Sequence, residues 1–240
     1  MKLEFLGTRG YIDAKTRRHR RHSTLMVSYY GARIPIDCGE DWQGRLATIH
    51  PHAVVVTHAH PDHAGGLNGD VPCPVYATRD TWEKIADRPI EQQEQVIERQ
   101  PFRIRQIDFE AFPVEHSIRA PAVGYRITAG SVCIFYAPDL IYIKDREAAL
   151  AGVHIYIGDG ATLTRSFVRR RGEALIGHAP VRTQLTWCGK EGIPRAIITH
   201  CGSQIVQGDE RKLGARLRAM ARARGVRAEF AHDGMQVVVR

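Results

Sequence analysis

Thr57-His58-Ala59-His60-Pro61-Asp62-His63 places four strong metal-ligand side chains within six consecutive positions. It follows Ala53-Val54-Val55-Val56, a β-branched run that predicts a short buried strand. Gly65-Gly66 comes just after, so the ligand types sit on a loop leaving a strand end. Alternate residues of extended backbone point the same way, so His58 and His60 can converge on one ion. Pro61 turns the chain, and Asp62 and His63 can then reach a second ion. The plain alternative is a surface loop that happens to be rich in histidine. Such loops rarely gather four ligand types at a strand end. A histidine-rich binding tract would lack the strand before and the Gly-Gly turn after.

The same punctuation recurs outward from this stretch. Residues 23–30 and 32–36 read as a hairpin turning at Gly31, and its second strand ends in Asp37-Cys38-Gly39. Residues 110–114 read as a strand delivering Glu115-His116-Ser117. Residues 122–128 and 132–136 read as a hairpin through Gly130 that ends at Ala137-Pro138-Asp139. Residues 153–157 lead to Gly158-Asp159-Gly160. Gly177-His178-Ala179-Pro180 opens a helix running to about Lys190, with Pro180 near its first turn. Residues 195–198 lead to Thr199-His200-Cys201. A lone histidine after a strand is more often a hydrogen-bonded structural group than a ligand. The series as a whole is harder to obtain by accident, and functional groups on loops at one rim of a sheet scaffold are the usual arrangement.

Elsewhere the pattern is plainer. Short helices are expected over 42–49, 79–86 and 145–151, and strands over 3–7, 74–77 and 103–107. Residues 89–100 are polar and carry no clear period. Residues 164–171 are basic and read as a loop or a ragged helix. Asp209 is the expected N-cap of a helix reaching Arg224, with Leu213, Leu217 and Met220 as its apolar stripe. Residues 226–230 and 235–239 close the chain as strands. Among 240 residues, 43% are hydrophobic, enough for a sizeable core. One mixed α/β domain over 1–240 is the economical organisation. No apolar run approaches the roughly 20 residues of a membrane span. The strand-like, acid-bearing start shows no secretory leader. Cys38, Cys73, Cys133, Cys188 and Cys201 are scattered, with no C-x-x-C pair, which points away from a disulfide framework and toward a reducing cytoplasm. The net charge of +8 favours anionic partners, although a solvated basic surface gives the same number.

The His-x-His-x-Asp-His run, with the acids and histidines at later strand ends, resembles the signature of the metallo-β-lactamase fold superfamily of metal-dependent hydrolases. The resemblance spans residues 3 to about 202. It implies an αββα four-layer sandwich, two β-sheets face to face with helices outside. It also implies a ligand set: His58, His60 and His116 on a first ion, Asp62, His63 and His200 on a second, and Asp139 between the two. Asp37 matches an acid that supports the ligands from behind. Two divalent ions are implied, zinc foremost, with manganese or iron also compatible with imidazole and carboxylate donors.

A finer resemblance is to the branch holding ribonuclease Z and the phosphonate-operon phosphodiesterase. It rests on Gly158-Asp159-Gly160-Ala161-Thr162, on Gly177-His178-Ala179, and on Gly124-Tyr125 after His116. It implies that His178 aids phosphoester cleavage and leaving-group protonation, oriented by Asp159, with Asp62 also counted in the catalytic set. The basic run from Lys15 to His22 follows the first strand, where the superfamily's site rim lies, so Arg17, Arg18, Arg20 and Arg21 are candidate phosphate contacts. The chain has no arm of the kind with which ribonuclease Z grips tRNA, and no early cysteine-bearing zinc loop.

The expected function is therefore a dinuclear hydrolase of nucleotide, cyclic nucleotide or nucleic-acid phosphodiesters, acting through a metal-bound hydroxide. RNA or DNA are candidate partners, no membrane is expected, and a homodimer is open. A lactone, ester or thioester hydrolase on the same fold is the alternative. A non-catalytic metal-binding or nucleic-acid-binding module is the third, and seven filled ligand positions speak against it.

Overall fold

Apolar residues alternate along the longer strands and decide the layers. In the computed structural model, which describes residues 1–172 and 174–240, the strands in chain order are β1 (Lys2–Gly7), β2 (Thr24–Tyr29), β3 (Ala32–Ile36), β4 (Val54–Val55), β5 (Val75–Thr78), β6 (Gln93–Val96), β7 (Phe102–Ile104), β8 (Ile107–Glu115) and β9 (Ala122–Ala129). They continue as β10 (Val132–Ala137), β11 (Tyr142–Ile143), β12 (Ile155–Asp159), β13 (Arg169–Arg171), β14 (Ala174–Ile176), β15 (Arg195–Thr199), β16 (Arg227–Phe230) and β17 (Gln236–Val238). The helices are α1 (Pro61–Ala64), α2 (Arg79–Lys84), α3 (Arg146–Leu150), α4 (Val181–Lys190), α5 (Ser203–Val206) and α6 (Glu210–Arg222).

One sheet runs β17-β1-β2-β3-β4-β5-β6 and the other β11-β8-β9-β10-β12-β15-β16, with β7 paired to β8. Both repeat one scheme. Each begins with three antiparallel pairings and ends with three parallel ones, the change falling at β3/β4 and at β10/β12. The repeat lies in topology, which is why no residue-level repeat is visible. Ligand sites in open α/β sheets collect where the strand scheme changes, beyond the carboxyl ends. Here Asp37 follows β3, the histidine run follows β4, Asp139 follows β10, and Asp159 ends β12.

Three apolar clusters define four layers. Leu3, Phe5, Val27 and Ile34 of the first sheet meet Phe109, Ile127, Ile134 and Ile157 of the second, so the sheets pack face to face. On the outer side of the first sheet, Val54, Val56 and Val75 pack against Trp42, Leu46, Leu67 and Ile85. On the outer side of the second, Phe135, Tyr156 and Ile198 pack against Leu150, Leu185, Leu217 and Ala221 from α3, α4 and α6. Tyr136 and Phe135 are neighbours on β10 and point into different cores, as a period of two requires. This is the expected αββα sandwich.

The structure departs from the sequence reading in five local places. The strand read over 103–107 is instead a tight turn at Arg105, φ 55°, between the antiparallel β7 and β8. Residues 42–49 are not one helix but two 3-10 turns, Glu40–Trp42 and Leu46–Ile49, separated by Gly44 with φ 67°. The polar stretch 89–100 contains β6, an edge strand bonded only to β5, whose exposed Gln93, Glu94 and Gln95 conceal its period. The basic stretch 164–171 is neither loop nor helix throughout, since its end forms β13, paired antiparallel with β14. Ser203–Val206 forms the short α5, which the sequence reading lacks. Asp209 caps α6 as expected, its carboxylate accepting from the Lys212 amide at 3.0 Å. Among the described residues no helix is long and apolar enough to cross a membrane.

Candidate metal centre

The loop after β4 and helix α1 carry the histidine run. Pro61 starts α1 with its φ already helical, and His60 precedes it in extended backbone. His58 and His60 thus leave from extended chain, whereas Asp62 and His63 leave from a helical turn and face a different point. His58 Nε2 lies 3.0 Å from His60 Nδ1, and His116 Nε2 lies 3.1 Å from the same nitrogen. Asp62 Oδ2 lies 3.3 Å from His63 Nε2 and 3.1 Å from His200 Nε2. Asp139 stands between the two groups. Its Oδ2 is 3.7 Å from His58 Nε2, 3.7 Å from His200 Nε2 and 3.9 Å from His63 Nε2. The seven side chains expected as ligands thus lie together: His58, His60, His116 and Asp139 form one set of possible donors and Asp62, His63 and His200 another, while Asp139 and His200 also form a third with Asp159 and His178.

The donor set fits divalent cations. His63 Nε2 and Asp139 Oδ1 are buried with no hydrogen-bond partner. Asp139 Oδ1 approaches His116 Nδ1 at 2.8 Å and His178 Nδ1 at 2.9 Å, yet forms a hydrogen bond to neither. Buried polar atoms are seldom left without a partner, and a cation supplies one. Burial holds His58 well below the usual imidazole range, with His63 and His116 adding to it. Burial and the nearby His116 lower His60 to about 4. Neutral imidazoles offer lone pairs to a metal without first shedding a proton. Burial would raise the carboxyls of Asp62 and Asp139, but His63 beside the first and His116 beside the second hold both well below the carboxylate range. Burial opposes protonation of His63 and His200 too. Asp62 and Asp37 outweigh it and keep His63 well above its usual range, and Asp139 with its neighbours raises His200 to about 9. A cluster of buried acids this dense calls for compensating positive charge, which bound divalent cations can supply.

Asp37 supports both groups. Its Oδ1 accepts from the Thr57 amide at 2.7 Å, and its Oδ2 accepts from His63 Nδ1 at 2.8 Å. The Thr57 hydroxyl reaches Asp37 at 2.9 Å and His58 Nδ1 at 3.0 Å. Asp37 and His200 have φ of 62° and 50°, a sparsely populated region for residues with a side chain. Such conformations persist where the surroundings over-determine them, and they gather at functional sites.

Asp159 and His178 are paired as expected. His178 Nδ1 donates to Asp159 Oδ2 at 2.9 Å. Asp159 also accepts from the amides of Ala161 at 2.7 Å and Leu140 at 3.3 Å. Burial opposes the His178 imidazolium, but Asp139 and Asp159 outweigh it and raise the ring to about 11. Sequence reasoning missed the group that holds this pair. Gln184 of α4 is fully buried; its Nε2 donates to the carbonyls of Asp159 at 2.8 Å and Ala179 at 2.9 Å, and its Oε1 accepts from the Asp159 amide and the Tyr156 hydroxyl, each at 2.9 Å. The available signal was an amide on the buried face of a helix. Tyr125, singled out in the sequence, plays a structural part: its hydroxyl donates to the Val56 carbonyl at 2.9 Å, tying the second sheet to the ligand loop.

The four arginines of the basic loop are not brought to this cleft. Asp233 Oδ2 accepts from the amides of Arg20 and Arg21, each at 2.9 Å, and folds the loop back on the chain end. Arg17 and Arg18 line a separate hollow beside α6, where Arg18 meets Glu210 at 3.0 Å. Arg20 and Arg21 line another with Asp41, and the Arg21 guanidinium lies 4.8 Å from the Trp42 ring centre. The arginine that does line the metal cleft is Arg165, which sequence reading passed over, along with Tyr11, Ile12 and Phe167.

Known proteins agree with this architecture. The family model described as the beta-lactamase superfamily domain matches residues 32–201. Ribonuclease Z of Methanopyrus kandleri is 43% identical over 70 residues, which make up 27% of this chain and 24% of that protein. The chain thus spans about a quarter of the length of that curated relative. Among solved structures, the metallo-beta-lactamase fold protein YhfI of Bacillus subtilis superposes with a TM-score of 0.77 at 16% identity, over 98% of each chain. A diphosphatase of the PhnP family superposes with a TM-score of 0.75 at 20% identity, over 100% of this chain and 98% of the other. At such identities the superpositions speak for the fold.

Proposed function

Because the chain belongs to the beta-lactamase superfamily domain family, we propose that it is a two-metal hydrolase cleaving phosphodiesters of nucleotides or nucleic-acid ends. The observation that carries this reading is the place of Asp139. One of its oxygens faces ligand candidates of both groups, and the other faces His178. A carboxylate so placed could hold two cations side by side with a proton donor next to them.

His58, His60, His116 and Asp139 would hold the first ion, and Asp62, His63, His200 and Asp139 the second. Zinc is the foremost choice, and manganese or iron suits the same donors. When bound, the two ions supply Lewis acidity to the phosphoryl oxygens and activate water. The remaining work falls to the chain. Asp37 and Thr57 fix the tautomers of His63 and His58, so that each presents Nε2 forward. Asp159 occupies His178 Nδ1, and His178 Nε2 has no hydrogen bond to any described residue. Since His178 lines the cleft, Nε2 is placed to give its proton to the leaving-group oxygen. Gln184 keeps Asp159 in register with that ring. Arg165 brings a planar guanidinium to the cleft rim, where it can pair with a phosphate. Likeness of a 70-residue stretch to a ribonuclease Z supports a phosphorus substrate.

The test is one metal-reconstituted preparation, assayed on bis(4-nitrophenyl) phosphate and on a simple lactone, with metals counted by elemental analysis. Two ions per chain with diester cleavage is the expected result. Lactone cleavage alone would replace the proposal with an acyl hydrolase.

A further inference from the structure

Two aromatic side chains border the metal cleft and take no part in the chemistry above. Tyr11 is 66% exposed and Phe167 45% exposed, and both line the cleft that holds His60, Asp62, His116 and His200. Single exposed rings are ordinary on a protein surface. Two at the mouth of one metal cleft, each held by built features of the backbone, call for a ligand.

Tyr11 follows Gly10, whose amide donates to the Cys201 carbonyl at 3.1 Å. A Cβ at position 10 would lie 3.1 Å from His200 Cε1, so the chain crosses closely over that ring just before Tyr11, which lines the same cleft. Arg9 anchors the crossing from below. Its buried guanidinium reaches the carbonyls of Arg20 and Ile12 and the Asp41 carboxylate. Phe167 is fixed from the other direction. A Cβ at Gly177, where φ is 130°, would fall 1.8 Å from the Phe167 carbonyl oxygen. Gly177 is itself bonded to His116, amide to carbonyl at 3.1 Å and carbonyl to ring nitrogen at 3.3 Å. The Phe167 backbone thus lies against Gly177, which is bonded to His116 and precedes His178, while Tyr11 follows Gly10 at His200 and sets its ring centre 6.1 Å from that of His22. Arg165 joins this wall with its guanidinium 5.9 Å from the Phe167 ring centre.

We infer that Tyr11 and Phe167 hold an unpaired nucleobase next to the scissile phosphate, with Arg165 on the phosphate. The inference rests on the phosphodiesterase reading and narrows it to nucleotides and single-stranded nucleic-acid ends. Every base has a π-face, so aromatic walls accept bases without regard to sequence, and an arginine beside them meets the backbone. A base inside a duplex is already stacked on its neighbours and has no face to offer. The cleft volume of about 750 Å³ falls in the range of small-ligand pockets, room enough for a nucleotide.

The test uses two diesters with one leaving group and one charge, thymidine 5′-(4-nitrophenyl phosphate) and methyl 4-nitrophenyl phosphate, on the metal-reconstituted full chain. The wild-type protein should prefer the nucleoside ester in kcat/KM by roughly tenfold or more, the scale of one base stack. Tyr11→Ala and Phe167→Ala should each erode that preference, chiefly through KM. Tyr11→Phe, which keeps the ring, should retain it. Cleavage of both esters with no preference would overturn the inference and leave the phosphodiesterase reading standing. Equal losses on both esters in the alanine variants, or a Tyr11→Phe loss as large as that of Tyr11→Ala, would overturn it too. Cleavage of neither ester would remove the phosphodiesterase reading first and this inference with it.

Discussion

Asp37 Oδ2 accepts a hydrogen bond from His63 Nδ1 at 2.8 Å, while the other oxygen of the same carboxylate holds the Thr57 amide at 2.7 Å. Through the Thr57 hydroxyl the carboxylate also reaches His58. One buried acid at the end of β3 therefore orients a ligand from each half of the centre. Asp37→Asn tests this. Asparagine accepts the left-handed backbone at this position, but its single amide oxygen can accept from the Thr57 amide or from His63 Nδ1 and not from both, leaving an NH2 against the other donor. Metal affinity should drop roughly 10–100-fold, the usual cost of losing a supporting partner. Chelator competition on the folded variant measures it, and an unchanged affinity would show that His63 orients without Asp37.

Asp62 and His63 belong to only one of the two ligand groups. Asp62→Ala should therefore leave the His58, His60 and His116 group able to bind while emptying the other. Elemental analysis should fall from two ions per chain to one. Phosphodiester turnover should decrease by at least roughly 10²–10³, as expected when one stabiliser of transition-state charge is removed. Two ions with normal turnover in this variant would falsify the grouping.

His178 touches Asp139 and Asp159 and lies outside both expected ligand groups, although with Asp139, Asp159 and His200 it forms a further set of possible donors, so its variant must be checked for metal content as well as turnover. His178→Ala should keep its metals and lose roughly 10²–10⁴ in turnover if the ring is a general acid. The loss should be largest with an alkoxide leaving group and much smaller with 4-nitrophenolate, which needs little help from a proton. A loss independent of the leaving group would assign His178 a positioning role instead.

The site was legible where its logic is local. His58 to His63 lie on consecutive positions, and His116, Asp139, Asp159 and His200 each close a β-branched or aromatic run, so a strand end announces every one. The fold followed from the resemblance those residues carry, and the three apolar clusters confirm its layers. What was not legible depends on contacts between distant residues. Asp233 turns the basic loop away from the cleft through amides 213 positions away in Arg20, and no local pattern records such a bond. Arg165 and Phe167 line the cleft from irregular chain just before β13, and strands of three residues such as β13 and β14 are too short to show a period. Gln184 looked like any polar helix residue until α4 was seen to bury it against Asp159.

His19 offers a test of stability away from the metal ligands. Burial, together with Arg18 and His232, lowers its imidazole to about 4, and its Nδ1 pairs with the Thr8 hydroxyl at 2.9 Å. The unfolded chain takes up this proton near pH 6.5, so between those values the unfolded state binds more protons than the folded one. The contribution of neutral His19 is thus present above about pH 6.5 and is lost as pH falls toward 4. After allowance for partial solvent contact, the change is on the order of 1–2 kcal/mol. Urea midpoints of the metal-free protein at pH 7 and pH 4.5 should differ less in His19→Gln than in wild type. Parallel pH dependence in the two proteins would place the titration elsewhere.

Gly177 joins the hairpin of β13 and β14 to the catalytic rim, and its backbone admits no other residue at low cost. Its φ of 130° lies where side chains are strained, and an added Cβ would meet the Phe167 carbonyl oxygen at 1.8 Å. Gly177→Ala must shift either the segment carrying Phe167 or the one carrying His178. Backbone strain of this kind costs about 1–3 kcal/mol. For a chain of 240 residues that corresponds to a fall of roughly 3–10 °C in Tm. Because Gly177 is bonded to His116 through both its amide and its carbonyl, metal affinity should weaken together with turnover. Calorimetry and elemental analysis on one sample check both halves. An alanine variant with the Tm and turnover of wild type would mean that the hairpin relaxes without moving His178, and would break the link drawn between its position and the active rim.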